Sequence, residues 1–306
     1  MQAETYSDRS PSSWARHGFL RFDPARLEAS FDREPFLVAH DLSSHPLLQL
    51  PRLIELARTL PASAVEYNAG DLAIGQSPER TPRTGLGVEE TLHQIETCGS
   101  WMVLKYIETD PSYARLLDDC LEPVRPHIER IRPGMSRRHA FVFVSSPGAV
   151  TPYHVDFEHN FLLHLRGDKR MTVWSGEDRA VMSEEERERK VTGDKRNLPW
   201  DDRFAASGRS FDLRPGMGLQ VPLSSPHWVE VGAQVSISLS ITFLSKHGAR
   251  VRALHTANAF LRRRGITPGE VGASALSDEL KFNAYRIAGR LDRAWARLRR
   301  TRRAAP

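Results

Sequence analysis

The chain has 306 residues, of which 40% are hydrophobic and 26% charged, and its formal net charge is +5. This length and apolar content are sufficient for one core of ordinary domain size with helical additions. No run approaches the roughly 20 apolar residues of a transmembrane helix, and residues 1–16 lack the charged-then-apolar pattern of a signal peptide. We therefore expect a cytoplasmic protein. Cys98 and Cys120 supply neither a disulfide framework nor a zinc-type spacing.

The first part of the chain predicts helices mixed with short strands. The expected elements in order are a strand over Phe36–His40, an amphipathic helix over 48–60 that ends before Pro61, a Pro/Gly/Arg-rich loop over 75–87, a helix over 88–97, a strand over 100–108 and one or two helices over 110–130. Trp101 and Lys105 of the second strand could face either the core or a site. The loop over 75–87 could either cover a pocket or be a solvated connection.

From Ala140 the composition changes to short β-prone runs separated by Gly, Pro and Ser. The predicted runs are 140–144, 160–165, 171–174, 210–213, 217–221 and 229–244. This pattern favours a barrel or sandwich over a parallel α/β sheet. A charged insertion over 176–208 interrupts it, and Ser183 predicts the start of a short solvated helix there. Trp200 in the insertion is either a packing residue or a substrate contact.

After Lys246 the chain is basic and helical. The sequence predicts a helix over 277–303 with one apolar stripe, formed by Leu280, Ala284, Ile287, Leu291, Trp295 and Leu298. This stripe packs either on the barrel of its own chain or on a second subunit. The expected organisation is therefore an N-terminal helical and strand region over 1–98, a barrel core over 99–246, and a basic helical region over 247–306.

The stretch from Thr151 to Trp174 carries the clearest chemical signal, and it is interpreted as a strand, a tight turn and a second strand. On a strand, His154 and Asp156 project to the same face, so an imidazole and a carboxylate can bind one metal ion. His227, which opens a later strand-like run, is the best candidate for a third ligand. Two histidines and one carboxylate suit a non-haem Fe(II) oxygenase, because they leave the opposite coordination positions open.

A second match to this spacing, His127-Ile128-Glu129, lies in a helix-like segment where residues two apart do not share a face. We therefore expect it to be structural. Lys169 distinguishes the Thr151–Trp174 stretch, because it follows a Gly-Asp turn and would point into a barrel on alternation. An inward lysine is costly unless it meets an anion. The distal carboxylate of 2-oxoglutarate would be such an anion.

The same stretch resembles the JmjC/cupin-like Fe(II)- and 2-oxoglutarate-dependent oxygenases, especially the branch that includes the asparaginyl hydroxylase acting on hypoxia-inducible factor. The residues at matching offsets are Thr151, His154, Asp156, Asn160, Phe161, Gly167, Lys169 and Arg170. The resemblance implies a double-stranded β-helix, that is, a jelly-roll cupin with flanking helices. It also implies that His154, Asp156 and His227 bind iron.

The same resemblance implies that Lys169 and Thr151 bind the 2-oxoglutarate C5 carboxylate and that Asn160 lines that pocket. His164 corresponds to a substrate-side residue. Near Ser240 the relatives carry an amide where this chain has a small hydroxyl, so the C1-carboxylate contacts differ. The resemblance further implies dimerisation through terminal helices.

The sequence thus predicts an Fe(II)/2-oxoglutarate oxygenase that hydroxylates a protein or peptide side chain or a small metabolite, with demethylation as another outcome of the same chemistry. The alternative is a non-catalytic cupin that binds a ligand or partner, although such a protein has no need of Lys169. Nucleic-acid binding is poorly supported, because the basic residues cluster at the C-terminus instead of alternating with aromatic residues.

Overall fold

The protein is described here from a computed structural model, which covers residues 15–77, 80–193 and 197–288. Its strands are β1 Ala15–His17, β2 Leu20–Phe22, β3 Phe36–His40, β4 Val65–Ala69, β5 Ser100–Lys105, β6 Ser136–Ser145, β7 Val150–Val155, β8 His159–Arg166, β9 Lys169–Val173, β10 Arg209–Leu213, β11 Met217–Val221, β12 Pro226–Val231 and β13 Ser236–Leu244. Its helices are α1 Pro24–Ser30, α2 Leu50–Thr59, α3 Val88–His93, α4 Pro111–Leu121, α5 Arg125–Ile131, α6 Glu184–Thr192 and α7 Lys246–Arg262. Residues 275–288 form a further helix.

The strands form two antiparallel sheets that make a jelly-roll barrel with flanking helices. The larger sheet has nine strands in the order β1-β2-β3-β11-β8-β13-β6-β5-β4, and the smaller has four in the order β10-β9-β12-β7. Because β7, β8 and β9 are consecutive in the chain but alternate between the two sheets, the stretch around the candidate ligands crosses the barrel twice. The N-terminal region contributes four strands to the larger sheet.

Strand β8 is buried on both faces along nearly its whole length. On one side Leu162 packs with Met171, Phe211 and other residues between the two sheets. On the other side Phe161 and Leu163 join the large cluster that also contains side chains of helices α2 and α4. Burial of each such side chain contributes roughly 1.5–3 kcal/mol, so this strand anchors the barrel on which the site is built.

Most predicted elements are confirmed, including the strand Phe36–His40 and the helix that ends before Pro61. Two strand predictions were too coarse. The Thr151–Trp174 stretch contains three strands, not two, and the run over 229–244 is divided between β12 and β13. The latter division occurs at Gly232, directly after the end of β12. The Gly232 amide donates to the Asp168 carbonyl at 2.8 Å.

The charged insertion differs from its prediction. Ser183 does cap α6, since its hydroxyl accepts from the Glu186 amide, but the helix is not solvated on all sides. Glu184, Arg187 and Glu188 are buried, because α6 packs on α7 and the charges pair there, as Glu188 does with Arg262. A charge-rich sequence had suggested solvent on every face, but ion pairing to a neighbouring helix satisfies the charges instead.

The C-terminal helix begins at residue 275, earlier than predicted, and the Ser274 hydroxyl accepts from the Ser277 amide at its start. Leu280 and Ile287 of the predicted stripe are exposed. Leu291, Trp295 and Leu298 lie outside the described residues, as does most of the polar stretch over 1–16. Within the described ranges, no helix combines the length and the hydrophobicity needed to cross a membrane.

Candidate metal centre

His154, Asp156 and His227 converge on one point of the barrel. Strands β7 and β12 are antiparallel neighbours, and their register places His154 directly opposite His227. The two imidazole centroids lie 4.1 Å apart, and Nε2 of His227 is 3.8 Å from Oδ2 of Asp156. One potential ligand atom from each of the three residues lies within 4.8 Å of the others. Among the described residues this is the one such group of three that could hold a metal ion.

The second nitrogen of each imidazole fixes which atom faces the shared point. Nδ1–H of His154 donates to the Pro152 carbonyl at 2.7 Å, and Nδ1–H of His227 donates to the Ser225 carbonyl at 2.9 Å. A backbone carbonyl can only accept, so in the neutral form of each ring the free lone pair is on Nε2, the atom that can act as a ligand. The donor set and its supporting hydrogen bonds therefore fit a divalent metal such as Fe(II).

Lys169 lies in the same cavity as the three ligands. It is only 6% exposed, and burial lowers its pKa to about 7. No carboxylate within the described ranges forms an ion pair with it. The inner part of the cavity, about 50 Å³, is lined by Lys169 together with Trp101, Phe143, Ser145, Thr151, His154, Asp156, Asn160, Leu162, Met171, His227, Val229 and Ser240. A lysine amine, which an anion bound beside it would hold in the charged form, thus faces a small enclosed space that also contains the candidate metal ligands.

The register of β9 and β12 separates Lys169 from the ligands along the strand. Val173 is opposite His227, and Lys169 is opposite Val231. Four residues of strand separate the backbones of Val173 and Lys169 by roughly 13 Å. The lysine side chain covers part of that distance, and an anion that reaches both its ammonium and the ligand cluster must extend across the remainder. A dicarboxylate meets that requirement better than a compact inorganic anion.

His164 supports Lys169 from behind and lines neither part of the cavity. Its Nε2–H donates to the Gly167 carbonyl at 2.7 Å, and its Nδ1 accepts from the Ser238 hydroxyl at 3.0 Å. Burial, with a smaller effect of Lys169, lowers its pKa to about 3, so it is neutral. Gly167 has φ +74°, and a Cβ there would meet the Val235 carbonyl, so the turn requires glycine. His164 therefore holds the turn that carries Lys169.

Asn160 and Ser240 form a buried pair in the wall of the inner cavity. The Ser240 hydroxyl donates to Oδ1 of Asn160 at 2.8 Å. That bond orients the amide so that its NH₂ group is left for other acceptors. Thr151, which is opposite Val229 on β12, lines the same space. Together with Lys169, these residues offer a cluster of hydrogen-bond donors to an anion.

The outer part of the cavity is larger, about 600 Å³, and extends over strands β4, β5 and β6. Trp101 and Lys105, which the sequence left open between core and site, both line it. Sequence reasoning missed Tyr106, Arg137 and His139 in this wall. The sequence of one strand, without its neighbours, gives no signal that these residues line the same cavity as the metal ligands.

Two other candidates are accounted for by packing. Trp200 lies in an aromatic cluster with Tyr153, Trp174 and Phe204 and lines neither part of the cavity. His127 of the second His-x-Glu match bonds to Glu28 at 2.7 Å. The insertion approaches the site through Asn197. This residue forms an isolated antiparallel β-bridge with His154, and its side-chain amide donates to the Gln76 carbonyl.

No family model matches the sequence, and no curated protein matches it either. Among solved structures, the chain is similar to the X-ray structure of E. coli ycfD, with 16% identity and a TM-score of 0.50, over 87% of this chain and 66% of that chain. It also matches the Escherichia coli ribosomal oxygenase YcfD (14% identity, TM-score 0.45, 87% of this chain and 65% of that chain). A third structure is YcfD in complex with cobalt and 2-oxoglutarate (15% identity, TM-score 0.44, with the same two coverages).

The chain thus spans slightly less than two thirds of the length of these structures. The first similarity shows a shared jelly-roll fold.

Proposed function

We propose that this protein is an Fe(II)- and 2-oxoglutarate-dependent oxygenase. The observation that carries the proposal is Lys169, a buried cation without a carboxylate partner in the described part of the chain, in one cavity with His154, Asp156 and His227. A metal-binding cupin without this chemistry would have no reason to bury such a charge. The relation to the asparaginyl hydroxylase branch stays part of this proposal, since it rests on the sequence motif.

In the proposed reaction each residue has a defined task. His154, Asp156 and His227 hold the metal on one side and leave its other positions open. Lys169 binds the distal carboxylate of 2-oxoglutarate, with Thr151 and Asn160 beside it. When bound, the metal and cosubstrate supply oxidative decarboxylation to succinate and CO₂ coupled to oxygen insertion into a substrate C–H bond. The apolar side chains of Leu162, Met171 and Val229 limit the water in the inner cavity.

The outer cavity supports a protein or peptide side chain as the substrate. It is open to solvent and lies directly beside the ligands, so a side chain that projects from a larger molecule can reach the metal. The volume of about 600 Å³ is within the range of small-molecule sites, so the opening to solvent beside the ligands, and not the volume, is what favours a polypeptide.

The cosubstrate assignment is tested with Lys169→Met, which keeps the length of the side chain and removes its charge. Loss of one partner of a buried charge pair should weaken 2-oxoglutarate binding at least about a hundredfold. Calorimetric titration of anaerobic, Mn(II)-loaded protein measures this, and Mn(II) affinity should be unchanged. Lys105→Met is the matched control, because Lys105 pairs with Glu66 in the outer cavity.

Equal 2-oxoglutarate affinity in the wild type and Lys169→Met would contradict the cosubstrate assignment even with the metal site intact. A wild type that binds 2-oxoglutarate but never releases succinate, with any peptide or metabolite offered, would favour the non-catalytic cupin instead.

The proposal also includes a homodimer. Leu276, Leu280 and Ile287 on the C-terminal helix are 73%, 65% and 57% exposed, which supports the interpretation that the stripe packs against a second subunit. Sedimentation of the wild type and of a chain truncated after Thr267 tests this, since a monomeric wild type at micromolar concentration would contradict the dimer.

A further inference from the structure

The outer cavity contains a wall that the oxygenase chemistry does not use. Strands β6, β5 and β4 continue the larger sheet beyond β13, and their cavity-facing side chains extend away from the metal ligands. We call this wall the outer groove and define it by Glu66, Lys105, Tyr106, Arg137, His139 and Phe141. Two of its exposed members, Tyr106 and Arg137, have left-handed backbones.

Arg137 sits at an irregularity between β6 and β13. Thr242 is opposite His139 and Leu244 is opposite Ser136, so two residues of β6 face a single residue of β13. Arg137 has φ +49° at this bulge. Bulges of this kind occur next to binding sites, where they change the direction of a side chain. Arg137 lines the groove, whereas its neighbour Arg138 pairs with Asp118 and does not line it.

Tyr106 also has a left-handed backbone, with φ +56°, and its side chain is 45% exposed. The turn that carries it is fixed by Glu108, which accepts from the Ala140 amide and bonds to Nδ1 of His139. The Tyr106 ring packs edge-on against His139 at 5.0 Å and against Phe141 at 5.3 Å. A large side chain is thus held rigidly at the mouth of the cavity without being covered.

Most of the polar side chains around the outer cavity have a partner. Lys105 pairs with Glu66, Arg252 pairs with Glu158, and His139 hydrogen-bonds to Glu108. Arg137 has no carboxylate partner among the described residues. An exposed guanidinium with its donors free is suited to a carboxylate, which it can bind through two parallel hydrogen bonds.

We infer that Tyr106 and Arg137 form a specificity subsite that binds an acidic side chain of a polypeptide substrate, at a distance from the residue that is oxidised. Tyrosine and arginine are the residue types that most often carry the binding energy of protein interfaces, and their rigid placement lowers the entropy cost of binding. The inference deepens the proposed function, on which it rests, because it adds a second point of contact to the same substrate.

The test is a selection from a random displayed peptide library on Mn(II)-loaded wild-type protein. We expect the selected peptides to be enriched in Asp and Glu, and the best of them to bind Arg137→Gln at least about tenfold more weakly. Arg138→Gln is the matched control and should bind like the wild type. Arg137→Glu should shift the selection from acidic to basic peptides, a reversal that a loss of folding cannot produce.

Selection without acidic enrichment on the wild type, or equal binding by Arg137→Gln, overturns the subsite. Titration of the same preparation with 2-oxoglutarate separates this result from a failure of the proposed function. A wild type that binds 2-oxoglutarate but selects no acidic peptides overturns only the subsite. A wild type that selects acidic peptides through Arg137 but does not bind 2-oxoglutarate overturns only the oxygenase proposal.

Discussion

Two clusters in this barrel each contain two histidines and one aspartate, and they differ in what surrounds them. The first is the metal-site cluster, His154, Asp156 and His227. The second, which we call the Asp32 cluster, combines Asp32 with His159 and His247, at 3.6 and 3.8 Å. His159 follows Asp156 by only three residues, so the two clusters are also close in the chain.

The Asp32 cluster is already occupied by protein groups. Arg132 donates to Oδ2 of Asp32 at 2.7 Å, so a cation sits where a metal would bind. Nε2 of His159 bonds to the Ser245 hydroxyl at 3.0 Å, and that hydroxyl also accepts from the Gly248 amide at the start of α7. The Asp32 cluster therefore fastens helix α7 to the barrel.

In the metal-site cluster the hydrogen bonds of the two rings are arranged differently. Both imidazoles use Nδ1 for backbone carbonyls, and their Nε2 atoms face a cavity. Residue type alone therefore does not distinguish a set of metal ligands from a hydrogen-bonded structural cluster. What separates them is which ring nitrogen is already bonded: Nε2 of His159 contacts the Ser245 hydroxyl, whereas His154 and His227 use Nδ1 and keep Nε2 for the cavity.

The largest expected effect comes from a substitution in the metal-site cluster. Asp156→Ala removes its only anionic ligand, so Mn(II) and Fe(II) affinity should fall at least about a hundredfold. Anaerobic metal titration measures this. Asp32→Ala is the control, and it should leave metal affinity unchanged. Metal binding that survives Asp156→Ala but not Asp32→Ala would exchange the roles that we assign to the two clusters.

The second prediction breaks the Asp32 cluster. Asp32→Asn leaves Arg132 without its carboxylate in a largely buried position, which should lower the free energy of unfolding by roughly 2 kcal/mol, reduced from the fully buried case because Arg132 is partly exposed. Urea unfolding measures the change, with metal affinity as the property that should not move. A variant as stable as the wild type would mean that the cluster contributes nothing to holding α7.

The third prediction concerns acid. Burial lowers the pKa of His159 to about 4, with Asp32 opposing the shift, and burial likewise lowers the pKa of His40 to about 4. Because both folded-state values are below the unfolded value, their stabilising contribution is complete above pH 6.5 and is lost as the pH falls toward 4.

Each of these two histidines should contribute about 1.4 kcal/mol per pH unit in that window. Urea unfolding at a series of pH values measures the slope. His159→Asn should make it shallower by about one histidine's share. An unchanged slope would show that His159 is not buried in its neutral form.

Sequence reasoning predicted the metal-site cluster because its residues are two apart on a strand and a lysine follows at a fixed turn. It also identified Ser183 as a helix cap. It did not predict that His164 holds the Gly167 turn, since that depends on Ser238 from a distant strand. The bulge at Arg137 likewise arises from pairing with β13, which no local pattern reveals. Charges in α6 suggested solvent because their partners on α7 are far along the chain.

The smallest expected effect concerns two serines, one within β13 and one directly after it, that differ as the two clusters do. Ser245 uses its hydroxyl to engage a histidine, whereas Ser240 donates to Oδ1 of Asn160 and leaves the amide NH₂ for a ligand. Ser240→Ala should therefore let the amide turn and weaken 2-oxoglutarate binding by about fivefold, the value of one ordinary hydrogen bond. Metal affinity should not change.

Ser236→Ala on the same strand is the control for that variant, because the Ser236 hydroxyl is buried without a hydrogen-bond partner in the described part of the chain and lines neither part of the cavity. Its loss should leave 2-oxoglutarate affinity as in the wild type. If both variants bind 2-oxoglutarate equally well, the Ser240 hydroxyl does not orient Asn160 toward the ligand. Ser240 would then have a purely structural role, as Ser245 has in the Asp32 cluster.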